Sequence, residues 1–281
     1  MRFAFTSSSS GGSAFGEIDA RALRMVLIAA LCLNGFAVRV FEAVATGSAP
    51  TSLLGISPFE IVAVAIAALV LLEAPQGPNV LGAPRIDAVD GLAGLCLLAP
   101  SSTVSWIALL GYAGWRALSA AGAERRAFAL LMAVAASALW ASHGAPLIGS
   151  WITPLEALAA GALLSLVEPQ ATVHGNVVGI PDRFLLVVMT ACSVVDAGPR
   201  LMVATAAVLL FIGATGVRPV LQAGAVALAV FIAINITRLA VMAHSQEAYD
   251  LAHGPLGASL FDGIIVAAVF VAAAAAKRGR T

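Results

Sequence analysis

The chain has 281 residues, of which 60% are hydrophobic and only 11% charged, and its mean hydropathy is +0.98. Soluble domains run at roughly 45–50% apolar and about 25% charged, so a water-soluble globule is excluded: it would have to expose the surplus as adhesive patches. The formal net charge is zero, which by itself names no partner.

Residues 1–20 are rich in Ser and Gly and are predicted to form a flexible tail ahead of a single transmembrane domain over 21–281. Arg21 and Arg24 precede an apolar run from Met25 to about Ala45, the pattern of an uncleaved signal anchor. Runs such as Ile61 to Leu72 and Leu221 to Ile234 carry no polar stripe at helical or strand spacing. In lipid every backbone group must be paired internally, which a long apolar helix achieves by itself. The short alternating segments of a membrane β-barrel are missing.

Further spans are predicted at Pro58–Glu73, Val89–Pro100, Thr103–Leu118, Arg126–Trp140, Pro199–Val217, Val220–Ala243 and Ala258–Ala276. The expected fold is therefore all-α, a polytopic transmembrane helical bundle of about eight spans plus an interfacial helix. If the spans alternate, Arg21, Arg24, Arg85, Arg116, Arg125, Arg126, Arg218, Lys277, Arg278 and Arg280 fall on one side. The positive-inside rule makes that side cytoplasmic, in a multi-pass protein of the cell inner (plasma) membrane.

The stretch from Ser142 to Ala197 breaks this pattern. Its apolar run Ile152 to Leu166 reads as a helix in the outer interface, because a normal span there would reverse everything after it. Val173 to Thr190, with the turn-like His174-Gly175-Asn176 and Pro181, is expected outside the membrane, returning to it near Cys192. Irregular backbone at that depth needs protein or a water-filled cavity around it, the first sign of a site.

Cys32 and Cys96 lie in apolar runs and read as small buried hydrophobes. No CxxC pair suggests a metal or redox site, and no metal or cofactor is expected. Cys192 sits in Thr190-Ala191-Cys192-Ser193. Asn235 and Arg238, three apart, share a helix face near its outer end, and His253 opens the last predicted span with Gly257 and Phe261 on its face. Gly257 is expected to let another helix or a peptide backbone approach closely. Titratable groups within apolar segments are costly and mark function by default. A thiol, a guanidinium and an imidazole at one membrane level have the makings of a cysteine-nucleophile site.

This arrangement resembles the exosortase/archaeosortase family of polytopic membrane cysteine transpeptidases. His174 to Pro181 is similar to the family's Gly-Asn turn before a Pro, with Asn176 as its Asn, and Ala191-Cys192-Ser193 follows at the expected distance. Asn235-Ile236-Thr237-Arg238 matches an Asn-x-x-Arg motif, and His253, Gly257 and Phe261 match His-x3-Gly-x3-Phe. The catalytic segment is thus 173–261; the N-terminal half matches only as generic membrane helices. The resemblance implies that Cys192 attacks a peptide carbonyl to form a thioester, that His253 is the acid/base and that Arg238 positions substrate or stabilises negative charge. It implies substrates that are secreted proteins with a C-terminal sorting signal, often Pro-Glu-Pro (PEP-CTERM-like) followed by a transmembrane helix and basic residues, cut at the outer membrane face. Membrane lipid is then the only other partner expected, and nucleic acid is not.

The chain departs from the family pattern after Cys192-Ser193, where Val194 replaces the usual Gly and no Arg occurs before Arg200. Such departures mark either a divergent member with a changed substrate or one that has lost activity. Asp196, one turn beyond Cys192, opposes a thiolate, and Arg200, one turn further, is placed to neutralise Asp196. His174 and His143 read as loop residues, His244, Glu247 and Asp250 as a solvated loop, and Arg39 with Glu42 as a helix-surface ion pair. The competing reading is a non-catalytic membrane component or transporter of an export (exopolysaccharide) system, with Arg238 and Cys192 merely lining a cavity. No internal repeat between the halves favours it.

Overall fold

The computed structural model describes residues 20–45, 57–73, 87–214 and 216–278. The predicted tail 1–20, apart from Ala20, lies outside the described residues, as do Arg85 and the Glu42 side chain.

Ten α-helices are described: α1 Ala20–Ala45, α2 Pro58–Glu73, α3 Ala88–Cys96, α4 Ser102–Ser119, α5 Gly122–Leu139, α6 Ala145–Leu164, α7 Val194–Phe211, α8 Val217–Met242, α9 Gln246–His253 and α10 Pro255–Arg278. Five helical stretches are long and apolar enough to cross a membrane: Ala22–Phe41, Gly122–Leu164, Val194–Phe211, Val217–Met242 and Pro255–Arg278. The predicted span Val89–Pro100 is only the nine-residue α3, about 14 Å at 1.5 Å per residue. A crossing needs roughly 20 residues. Arg116 stands in the last turn of α4, where it is buried and paired with Asp87 and Asp90.

The run Ile152 to Leu166 is not a separate helix. A single π turn, Trp140–Gly144, joins α5 to α6, so the helical path is continuous over 43 residues. Such a path is about 65 Å long, twice the hydrocarbon thickness. Its extra residue per turn and Pro154 are the recognised places for such a helix to bend.

The segment after α6 corrects the all-α expectation locally. Thr172–His174, Val177–Ile180 and Phe184–Val187 form an antiparallel sheet in the order β1-β2-β3. β-branched Val177, Val178 and Ile180 favour strands, and both loops carry turn chemistry. Gly175 takes φ +60° at the first position of the β1–β2 loop, where a two-residue hairpin wants glycine.

Three cores hold the molecule. The first packs α1, α2, α4 and α5 with many alanines, among them Ala63, Ala67, Ala113, Ala127 and Ala138. Lipid removes the hydrophobic drive between helices, so small side chains that allow close backbone approach are what hold them. The second core sets the sheet on α6 and α8, and the third joins α7, α8 and α10. α7 touches every layer, and the candidate site lies at its N-terminus.

Candidate active site

Cys192 ends a single 3-10 turn, Thr190–Cys192, and Ser193 then caps α7 by accepting from the Val195 N–H. Five hydrogen bonds fix this short segment. The Asn176 carbonyl accepts from the Val188 N–H at 2.8 Å and its side-chain amide donates to the Val188 carbonyl at 3.0 Å, fastening the approach to the turn. The Asn235 amide donates to the Cys192 carbonyl at 2.8 Å. On the far side Glu156 Oε1 accepts from the Val194 N–H at 2.8 Å, and the Trp140 indole donates to the Val195 carbonyl at 2.7 Å. The thiol is thus presented by a backbone tied to the β1–β2 turn, α6, α8 and the π turn.

Arg238 lies one turn beyond Asn235 on α8. Its Nε and Nη2 both donate to the Ala252 carbonyl at 3.2 Å, and its guanidinium stacks 4.6 Å from the Phe261 ring centroid. The Nη1 corner has no hydrogen-bond partner among the described residues. His253 ends α9 and stacks on Tyr249, with centroids 4.9 Å apart and planes 12° from parallel.

Cys192, Arg238 and His253 line one cavity of about 410 Å³, together with Asn235, Phe261 and Arg200. Elements 46 and 15 residues apart along the chain therefore converge on a common space. Burial pushes the Cys192 thiol above its ordinary range, the Arg238 guanidinium pulls it back, and Glu156 and Asp196 add to the rise. The net direction is up: burial outweighs the Arg238 guanidinium and disfavours the thiolate.

Two expectations need correction. His253 does not share a helix with Gly257 and Phe261: Gly254 adopts an extended conformation and α10 restarts at Pro255. A residue before proline is pushed out of the helical region, and proline is well suited to the first helical position. Nor is Gly257 an opening for a foreign backbone. A Cβ there would collide with the carbonyls of Leu251 and Ala252, so its bareness lets α10 fold back beneath α9.

Asp196 and Arg200 are ion-paired at 2.8 Å, as their spacing implied. The sequence reading missed their third partner. Glu60, fully buried in the first turn of α2, stands 4.0 Å from Arg200 Nε and 3.5 Å from the Ser137 hydroxyl. A lone Glu at the mouth of an apolar run was the available signal. Glu156, for which the sequence offered no role, is the carboxylate behind the Cys192 turn. His244 is not free in solvent: its Nε2 lies 3.1 Å from Glu168, which also accepts from Arg183 at 2.9 Å.

An apolar groove of about 530 Å³ adjoins the cavity between α8, α9 and α10, sharing Arg238 and Phe261 with it. No protein-family model, curated protein or solved structure matches the chain.

Proposed function

We propose that the chain is a membrane cysteine peptidase/transpeptidase of exosortase type, cutting C-terminal sorting signals of secreted proteins. What supports the reading is a single observation: a thiol, a guanidinium and an imidazole from three separate elements line one cavity. The flanking motif resemblance around Asn176, Cys192, Asn235, Arg238 and His253 supports it independently.

In this reading Cys192 Sγ attacks the scissile carbonyl while its proton passes to the His253 imidazole. The carbonyl oxygen gains negative charge, and the unpartnered Nη1 corner of Arg238 supplies a fixed donor for it. Collapse breaks the C–N bond, the His253 proton goes to the departing amine, and a thioester to the N-terminal portion remains. Water or an acceptor amine then releases it. Asn235 holds the Cys192 backbone, and Arg200 holds Asp196 away from acting as an uncompensated charge.

The proposed setting is the cell inner (plasma) membrane, with the site facing the periplasm or exterior. The terminal cations Arg21, Arg24, Lys277 and Arg278 supply the cytoplasmic anchor. A substrate anchored in the same bilayer meets the thiol at one depth, which raises its effective concentration.

The test is co-expression with a tagged secreted protein bearing such a signal. Cys192→Ala is expected to leave it uncut while the chain itself inserts normally. Unchanged processing returns the chain to the class of non-catalytic membrane components.

A further inference from the structure

The β3 strand leaves one edge of the sheet open, and that edge leads to Cys192. The hairpin register pairs Val177 with Val187, Val178 with Leu186, Gly179 with Leu185 and Ile180 with Phe184. One step further, the Val188 N–H donates to the Asn176 carbonyl. Residues of an antiparallel pair alternate between turning both main-chain groups toward the neighbour and turning both away. Phe184, Leu186 and Val188 therefore face β2, whereas Leu185 and Val187 direct their N–H and C=O groups to the outer edge. β3 is terminal in the sheet, and no described residue hydrogen-bonds those outward groups.

The side chains tell the same story on the sheet face. Leu186 and Val188 are buried against α6 and α8. Leu185, Val187 and Met189 are 55%, 54% and 59% exposed. This apolar row runs on into the cavity, where Met189 and Ala191 form the wall next to Cys192. Lipid chains can cover an apolar row, but they cannot satisfy amide groups. A partner that offers donors and acceptors at a two-residue period together with alternating side chains is another extended polypeptide.

We propose that the β3 edge is the docking strand for a polypeptide substrate, which binds extended along Leu185–Val187 as a fourth strand and is thereby led to Cys192. Only the last step rests on the peptidase reading; strand addition does not use the nucleophile. Specificity would then fall on alternate side chains of the bound segment, since main-chain pairing is blind to sequence.

The test uses the full chain in lipid nanodiscs with Cys192→Ala, so that binding is read without chemistry. The probe is a fluorescein-labelled six-residue peptide of alternating valine and threonine, followed by anisotropy. Saturable binding is expected. Methylating alternate amide nitrogens should weaken it about ten-fold in one register and leave it unchanged in the other, the loss of one or two hydrogen bonds. Val187→Pro removes an outward N–H and spares the β2 ladder, so it should weaken binding similarly. The methylated pair on the unaltered strand decides the matter even if the proline disturbs folding.

Equal binding of both methylated peptides, or none by the parent peptide, overturns the proposal. So does a Val187→Pro protein that changes from dimer to monomer with peptide binding intact, which would assign the edge to a second copy. A failed peptidase reading looks different: register-dependent binding persists while Cys192→Ala leaves processing unaltered.

Discussion

The Asn235 side-chain amide reaches the Cys192 carbonyl across 2.8 Å, joining α8 to a turn 43 residues earlier in the chain. Asn235 is 2% exposed, so its side chain is held by the packed interior rather than by solvent. Asn235→Ala is expected to destabilise the protein by about 1 kcal/mol, the net worth of a typical hydrogen bond. Thermal unfolding in detergent measures it. Processing should fall further than stability alone explains, because the thiol loses its fixed position.

The charges around Cys192 make its reactivity predictable. Burial raises the thiol pKa, so alkylation by iodoacetamide should still be climbing as pH passes the ordinary thiol value of 9.0. Arg238→Gln removes the group that favours the thiolate and should slow alkylation at pH 7.5. The factor is about two- to five-fold, since one pKa unit changes the thiolate fraction tenfold while the more basic sulfur attacks better. Arg238→Lys should restore much of that rate yet not processing, because a point charge lacks the planar grip on Ala252 and Phe261. Asp196→Asn should speed alkylation.

Glu156 is a half-satisfied carboxylate: Oε1 takes the Val194 N–H, and Oε2 is buried with no partner among the described residues. Glu156→Gln keeps an acceptor for that N–H and lifts a negative charge from beside the thiol. Alkylation of Cys192 should therefore rise with little loss of stability. Glu156→Ala orphans the N–H instead and should cost about 1–2 kcal/mol in thermal unfolding.

Glu168 bridges Arg183, at the tip of the β2–β3 hairpin, and His244, just past α8. Arg183 first, then His244, holds its carboxyl below the usual range. A depressed acid stabilises the fold above its unfolded pKa and loses that contribution as pH falls through the folded value. The protection of the amides over 177–187, relative to intrinsic exchange, is expected to fall as pH drops below the usual carboxylate pKa of about 4.3. Glu168→Gln should abolish that dependence and show the lower protection already at pH 6.

Much of this was legible in the linear order. The apolar runs that became α1, α2, α8 and α10 needed only length and the absence of a polar stripe, because one helix satisfies its own backbone. Asp196 with Arg200 was equally readable, since four residues on a helix fix their distance. The small sheet was less so. Its strands are three or four residues long, and their Val-rich runs look like more membrane helix until Gly175 and Pro181 are read as turns.

Composition and periodicity by themselves determined that the chain is a set of apolar helices with a few costly polar groups. They could not say that Glu60 stands behind Arg200, that Gly257 serves α9, or that Cys192, Arg238 and His253 share a wall. Those relations join segments far apart in the chain, and their distances are set by how α2, α7, α8 and α9 pack against one another. Local sequence fixes the conformation of each piece through short-range sterics and backbone pairing. Only the packed bundle brings the pieces within reach of a common cavity.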